Sequence, residues 1–150
     1  MPGIPLTADQ LRVSSVLNRD ARNFGKKHLV DGSTETCWNS DQGSPQWVQI
    51  DAGDGAGAGE LRPTALRLMF QGGFAGKECE LIGQRAQAPA ADWEPIVRFF
   101  PEDSNALQTF SVPAGGPGRA SGFRRLRVVF HSSTDFYGRI TLYVLEIESE

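Results

Sequence analysis

The sequence predicts an all-β domain, an antiparallel sandwich or barrel, on three observations. Short segments of alternating apolar and polar residues recur along the chain, as they do in half-buried strands. Clusters of glycine, proline and aspartate separate these segments, and such clusters are typical of turns. No amphipathic stretch exceeds one or two helical turns, so the crossover helices of a parallel sheet are not expected. A chain of 150 residues is expected to form one domain.

The alternation predicts about eight short strands. Val48 and Ile50 share one face of an early strand, and Leu126, Val128 and Phe130 share one face of a late strand. In chain order, the expected strands are Arg12 to Leu17, Gln46 to Asp51, Leu66 to Phe70, Glu78 to Ile82, Ile96 to Phe100, Gln108 to Val112, Arg125 to His131 and Ile140 to Ile147.

The sequence also predicts the N-terminal segment, one helical turn and the burial of two tryptophans. Residues 1–11 precede the first strand and are expected to form a flexible N-terminal segment, whereas residues 12–150 form the domain. One short helical turn is expected within residues 23–29. Trp38 and Trp47 are large apolar side chains in a strand-rich part of the chain, and both are expected in the core.

The connections between strands contain residues that suit turns or exposed loops. Asp31-Gly32, Gly72-Gly73 and Tyr137-Gly138 each include a glycine, which tolerates a positive φ. Segments rich in glycine and alanine lack the large side chains needed for packing. Such segments are expected to be surface connections, and they lie at residues 53–59, 86–91 and 114–122.

Charge and cysteine content exclude several functional classes. The net charge of −3 argues against direct nucleic-acid binding, which needs a basic surface. The longest apolar runs are four or five residues, too short to span a membrane. The two cysteines are Cys37 and Cys79, and the start Met1 to Pro5 has no signal-peptide pattern. We therefore expect free thiols and an intracellular protein.

Catalytic and transition-metal chemistry are not expected. His28 and His131 are the only histidines, and no Gly-x-Ser-x-Gly motif supplies a nucleophile. With Cys37 and Cys79 they could supply four zinc ligands, but no Cys-x-x-Cys or His-x-x-x-His spacing preorganises them. The sequence therefore favours a protein without catalytic residues.

A local cluster of arginines, which we call the basic stripe, contrasts with the net negative charge of the chain. It consists of Arg124, directly before the expected strand Arg125 to His131, and of Arg125 and Arg127 within that strand. Two interpretations stay open: a contact for a phosphate or an acidic partner, or a solvated strand face that discourages aggregation at a sheet edge.

One long segment resembles the discoidin (coagulation factor five/eight C-type) domain family. Residues 28–40, HLVDGSTETCWNS, contain an Asp-Gly pair followed by threonine and tryptophan, and residues 46–51, QWVQID, form a Gln-Trp-hydrophobic strand. The resemblance extends from Arg12 to Ile147. It implies a galactose-binding-like jelly-roll β-sandwich of about eight antiparallel strands, which agrees with the strand count from alternation.

Further segments resemble a family of small discoidin-like proteins that associate with an orphan nuclear receptor, testicular receptor four. This resemblance implies a protein partner, the receptor, whose DNA binding and transactivation the protein lowers. The matching segments are Arg12 to Asn18, Phe24 to Leu29, Glu35 to Gly43, Phe70 to Phe74, Phe100 to Asp103, Leu107 to Phe110 and Thr134 to Arg139.

The discoidin resemblance also implies a calcium site. The tight turn at Asp31 brings Asp31 and Thr36 onto one loop and exposes carbonyls such as those of His28 and Ser33. These are hard oxygen ligands of the kind that calcium prefers. Discoidin-like domains often close such a loop around calcium with a glutamate of the final strand, which corresponds here to Glu146. The implied cofactor is therefore a structural calcium ion.

The position of Glu146 within its strand leaves alternatives open. Alternation puts Glu146 on the face of Leu142 and Val144, where an unpaired carboxylate is costly. The opposite face is also apolar, so a bulge could move Glu146 outward. Without calcium, Asp31 would form an Asx turn capped by Thr36, and Glu146 would be solvated or paired with an arginine.

A second candidate site is the set of loops at one end of the sandwich. Jelly-roll domains carry recognition on such loops, and aromatic and arginine side chains supply much of the energy of protein interfaces. The expected partner-binding residues combine both types with polar groups, and they are Asn39, Asp41, Gln42, Gln71, Phe74, Asp135, Phe136, Tyr137 and Arg139.

The leading interpretation is a non-catalytic protein–protein interaction module of the nucleus or the cytoplasm. The resemblance makes an orphan nuclear receptor the first candidate partner and transcription regulation the expected role. Two alternatives stay open. One is an adaptor subunit of a larger assembly of the ciliary or ubiquitin-ligase type, which would extend the location to the cilium. The other is a lectin-like carbohydrate binder.

Overall fold

The computed structural model of this chain describes residues 4–52, 60–85, 92–113 and 122–150. Within these residues, antiparallel strands form a five-stranded sheet of order β1-β3-β8-β5-β6 and a four-stranded sheet of order β2-β9-β4-β7. The strands are β1 Leu11–Val13, β2 Trp38–Asn39, β3 Gln46–Asp51, β4 Pro63–Phe70, β5 Cys79–Arg85, β6 Glu94–Phe99, β7 Leu107–Ser111, β8 Phe123–Phe130 and β9 Thr141–Ser149.

Helical structure among the described residues is confined to short turns. The helix α1 spans Ala21–Phe24, and 3-10 turns lie at Ala8–Gln10, Leu17–Arg19 and Lys26–Leu29. The described residues contain no helix with the length and apolar content of a membrane span. The surface connections expected at residues 53–59 and 86–91, and all but Gly122 of the one expected at 114–122, lie outside the described residues.

The jelly-roll β-sandwich predicted from the sequence is confirmed, with nine strands in the described residues rather than about eight. The additional strand is β2, whose two residues are too few for an alternating pattern. The first strand also begins earlier than expected. Leu11 belongs to β1 and is fully buried, and Ile4 donates its backbone N–H to the carbonyl of Ile147 at 2.8 Å. Residues 4–11 therefore contact the sandwich.

An aromatic cluster fills the core between the two sheets. Trp38, Phe70 and Phe130 are almost completely buried, and the Phe130 ring lies 6.3 Å from Trp38 and 5.7 Å from Phe70, centroid to centroid. The indole N–H of Trp38 donates to the carbonyl of Ser15 at 2.9 Å, so its polar atom is satisfied. Full burial of each such side chain stabilises the fold by roughly 1.5–3 kcal/mol.

The prediction that Trp47 belongs to the core is wrong. Its neighbours Val48 and Ile50 face inward, and alternation turns Trp47 to the outer face of the five-stranded sheet. There the Arg127 guanidinium lies between two indole rings, 4.1 Å from Trp47 and 4.5 Å from Trp93. Arg127 of the basic stripe thus packs against its own sheet.

A β-bulge in β9 decides where Glu146 points. β4 pairs with β9 through Met69 opposite Val144 and Phe70 opposite Leu142, so Tyr143 is an extra residue in β9. Beyond the bulge, Leu145 and Ile147 are buried and Glu146 is not. The alternation that places Glu146 on the face of Leu142 therefore fails, and the bulge alternative is the one observed.

The loops at one end of the sandwich come from both sheets. Antiparallel pairing brings the end of β4, the start of β5, the end of β8 and the start of β9 to this end. We call the segments 40–45, 71–78, 100–107 and 131–140 the loop rim. The backbone joins two of them, because Gly43 donates its N–H to the carbonyl of Tyr137 at 2.8 Å.

The stacked guanidinium yields a first prediction. Replacing Arg127 with alanine should lower the free energy of unfolding by about 1–2 kcal/mol, because a desolvated cation–π contact is lost. Urea denaturation followed by tryptophan fluorescence measures the change. Arg98→Ala is the control, because its side chain is 64% exposed and its ion pair with Glu80 spans 3.9 Å. Equal stability of the Arg127 variant and the wild type would contradict a stabilising role for the stack.

Candidate functional site

The loop rim carries all the large hydrophobic side chains that are exposed within the described residues. Phe136 is 93% exposed, Phe100 66%, Tyr137 56% and Leu107 47%. Isolated exposed hydrophobic residues are common, but a set confined to one end of a domain marks an interaction surface.

The turn at residues 135–139, which we call the tip, presents Phe136 and Tyr137. Asp135 and Arg139 form a two-point ion pair, with Nε to Oδ2 at 2.9 Å and Nη2 to Oδ1 at 3.1 Å. The hydrogen bonds from Arg139 hold the pKa of Asp135 below its usual value, so the carboxylate is ionised at neutral pH. Gly138, which lies between Asp135 and Arg139 in the chain, has φ +84°. A side chain at this position would collide with the carbonyl of Gly43.

Aromatic contacts extend the tip along the rim. The Phe136 and Tyr137 rings meet edge to face at 5.3 Å. The Arg139 guanidinium lies 5.2 Å from the Phe74 ring and 5.5 Å from the Tyr137 ring. Arg139 therefore links the tip to the neighbouring loop at Phe74.

A small cavity opens beside the tip. Its volume is about 220 Å³, and it is lined in part by Asn39, Gln71, Phe74 and Arg139. Asn39 is already hydrogen-bonded, because the Thr141 hydroxyl donates to the side-chain carbonyl of Asn39. The structure thus brings together four of the partner-binding residues expected from the sequence.

Asp41 and Gln42, also expected to bind a partner, shape the adjacent loop through their backbones. The Gln46 side-chain amide donates to the carbonyl of Asp41 at 3.1 Å and to that of Gln42 at 3.3 Å. Ser15 accepts the N–H of Asp41 at 2.9 Å. Hydrogen bonds with the side chains of Gln46 and Ser15 therefore fix this loop next to the tip.

Sequence reasoning missed the third part of the rim, Phe100 and Leu107. Their loop is fixed by Asp103 and Asn105, whose side chains accept the N–H groups of Gly73 and Gly72 at 2.7 Å each. The signal was present in the Phe99-Phe100 pair, because alternation at a strand end buries one ring and exposes the other.

The loop proposed to hold calcium is closed by hydrogen bonds to Asp31. Asp31 accepts the backbone N–H of Ser33 at 3.0 Å, the hydroxyl of Thr36, and a contact from His28 Nδ1 at 3.3 Å. The donation from Thr36 is the main reason that the pKa of Asp31 lies below its usual value. His28 Nε2 meets the carbonyl of Arg22 at 2.9 Å. This is the Asx turn that the sequence allowed.

Glu146 lies across from that loop. It lines the same cavity as Ser33, and its carboxylate is 3.6 Å from Arg67, which also binds Glu148 at 2.6 Å. No three Asp, Glu, His or Cys side chains cluster as metal ligands in the described part of the chain. The donors present are nevertheless the hard oxygens that calcium prefers, so calcium stays a prediction.

The thiols have no nucleophilic character. Cys37 and Cys79 are unpaired, and burial raises the pKa of both, that of Cys79 to about 12. Each remains a neutral thiol at physiological pH, whereas a reactive cysteine needs a thiolate. His131 contacts Glu80 at 3.1 Å on the surface.

Solved structures share this fold at low sequence identity. A chitosan-binding module from a chitosanase/glucanase of Paenibacillus sp. IK-5 superposes with a TM-score of 0.71 at 16% identity, over 99% of this chain and 100% of that chain. An F5/8 type C domain of a Bacteroides fragilis protein superposes with a TM-score of 0.73 at 12% identity, over 97% and 95%. These similarities establish the discoidin-like fold.

Relatives found by sequence have a much higher identity to this chain than these structures do. No protein-family model matches the chain. A protein of Danio rerio named nuclear receptor 2C2-associated protein is 46% identical over 94% of this chain and 91% of its own length. The Homo sapiens protein of that name is 45% identical over 93% and 90%. The chain therefore belongs to the nuclear receptor 2C2-associated protein family.

Proposed function

We propose that the chain is a non-catalytic module that binds nuclear receptor 2C2 through its loop rim, in the nucleus or the cytoplasm, and lowers the receptor's DNA binding and transactivation. The names of the relatives supply the partner. The observation that carries the use of the rim is the confinement of exposed large hydrophobic side chains to this end in the described residues.

The chemistry of the rim suits a protein surface as ligand. Aromatic and arginine side chains dominate the binding energy of protein interfaces, and Phe136, Tyr137 and Arg139 lie together here. The ion pair of Asp135 with Arg139 fixes the tip before a partner arrives. Preorganisation of this kind reduces the entropy lost on binding.

The alternative of a carbohydrate binder has one supporting observation. The rim cavity combines the side-chain amide of Gln71 with the Phe74 ring, a mixture that suits a sugar. Arg139, however, lies over the rings of Phe74 and Tyr137, where a sugar would stack. An adaptor role in a larger assembly would use the same exposed aromatic side chains. The receptor is therefore the preferred ligand.

Binding to purified nuclear receptor 2C2, measured by titration calorimetry, tests the proposal. Phe136→Asp should weaken binding about 30-fold or more, because a charge replaces a central aromatic contact. Its high exposure leaves the fold intact, which a melting curve verifies. Ser111→Asp is the matched control, because Ser111 is exposed at the far end of β7, and we expect its affinity to equal the wild-type value.

Three results would contradict the proposal. The first is unchanged affinity after Phe136→Asp and Tyr137→Asp together. The second is binding to immobilised glycans that Gln71→Ala removes, which would favour the lectin. The third is recovery from cells of ciliary or ubiquitin-ligase subunits without the receptor, which would favour the adaptor.

We also propose that the loop of residues 28–36 and β9 hold a structural calcium ion. Oxygen atoms of Asp31, Ser33, Thr36 and Glu146, with the carbonyl of His28, would hold it. Supporting this, Ser33 and Glu146 line one cavity and Asp31 contacts Thr36. The ion would link the loop to the last strand.

The calcium proposal predicts a thermal shift. A ligand that binds only the folded state stabilises it by about 2.7 kcal/mol when its concentration is 100 times the Kd. Millimolar calcium should therefore raise the Tm above that of a sample in chelator, and Asp31→Ala should remove the difference. The same Tm with and without calcium would end the assignment. Asp103→Ala, outside this loop, is the control and should retain the shift.

A further inference from the structure

A cavity lies beside β9, away from the loop rim. Its volume is about 430 Å³, within the range of ligand sites in proteins. Mostly apolar side chains line it, from Leu6 near the N-terminus, from Leu29 and Val30, and from residues 143–146 of β9. We call it the edge cavity. None of its lining residues belongs to the loop rim.

An unpaired stretch of β9 forms one wall of the edge cavity. One edge of β9 pairs with β4 along its length, whereas the other pairs with β2 only at Thr141 and Leu142. The next backbone bond on that second edge is from Ile4 to the carbonyl of Ile147. Between these points, residues 143–146 have no backbone partner on this edge in the part of the chain that the structure describes.

Strand geometry shows which groups are available. In a strand, the backbone groups of residues i and i+2 point to the same edge. Because the Ile147 carbonyl faces the second edge, the N–H and carbonyl of Leu145 face it too, toward the edge cavity. They are a donor and an acceptor placed for another strand.

Neither neighbouring segment closes this gap in the residues that the structure describes. In the N-terminal segment, the backbone bond to β9 is made at Ile4, and no backbone bond joins Pro5 or Leu6 to residues 143–146. On the other side, β2 begins only at Trp38, because the chain before it is folded into the Asx turn at Asp31. The gap is thus built into the fold, between two positions where the edge is already paired.

We propose that the edge cavity binds an extended segment of a partner protein, which adds to β9 as a strand. An extended polypeptide is the occupant because only a backbone supplies a donor and an acceptor at strand spacing, and four residues span about 13 Å. Alternate side chains of the segment would be apolar, to contact Leu29 and Val30. This surface is separate from the rim proposed for the receptor, but it shares Ser33 and Glu146 with the proposed calcium site, so calcium and the segment would compete.

The charge of the edge cavity and of the whole chain further restricts which segments can bind. Among the residues that the structure describes, Glu146 is the only charged one that lines the edge cavity, and its carboxylate, 43% exposed, lies 3.6 Å from Arg67. The whole chain carries a net charge of −3. An acidic segment would be repelled, so the bound segment is neutral or basic.

Selection from a displayed library of random peptides tests the proposal, with the folded full-length chain as target and a chelator present. We expect enrichment of sequences with alternating apolar residues and few acidic ones. The strongest peptide is then synthesised in two forms, one with an N-methyl group on the amide that pairs with Leu145. Methylation should weaken binding about tenfold, because one buried backbone hydrogen bond is lost.

Matched variants locate the bound peptide. Thr34 lines the edge cavity, so Thr34→Trp should fill the cavity and abolish binding. Thr109→Trp, at an exposed threonine on β7, should leave binding unchanged. Peptide should also slow hydrogen exchange of the Leu145 amide. Phe136→Asp should retain peptide binding, which separates failure of this proposal from failure of the rim.

Three outcomes would overturn the inference. The library yields no enriched peptide; the enriched peptides bind the Thr34 variant as tightly as the wild type; or N-methylation has no effect. In the last case the peptide would be held by its side chains alone, and strand addition would be wrong.

Discussion

Burial of three aromatic rings between the sheets is the constraint on which the rest of the structure depends. Trp38 lies in β2, and Phe70 and Phe130 are the last residues of β4 and β8. Phe70 and Phe130 are therefore fixed where a strand ends and a loop of the rim follows, and Trp38 lies two residues before another rim segment. Loss of such a ring from a core costs about 3–5 kcal/mol, so the rim loops start from positions that are hard to displace.

This constraint explains how one end of a small domain can expose aromatic side chains and stay ordered. The rings of Phe136 and Tyr137 contribute little to the core, and the fold does not need them for stability. Local polar bonds hold them outward instead, above all the pair of Asp135 with Arg139. Function and stability are thus assigned to separate residues of the same loop, which is typical of binding sites on rigid scaffolds.

The sequence predicted most of the fold and the main candidate surface, and its errors have physical causes. β3 was predicted from Gln46 to Asp51, as observed, because its alternation is strict. Trp47 was misplaced because size suggested burial, whereas its position in the pleat turns it outward against Arg127. The bulge at Tyr143 could not be located, because both faces of β9 are apolar around it. The gap on β9 depends on hydrogen bonds that no sequence pattern reveals.

Hydrogen exchange of this chain with and without bound nuclear receptor 2C2 tests the central claim most directly. The account predicts slower amide exchange in segments 40–45, 71–78, 100–107 and 131–140, the four parts of the loop rim. The outer face of the five-stranded sheet, around Arg127, should exchange at the same rate in both states. Protection of that face, with the rim unchanged, would contradict the assignment of binding to the rim.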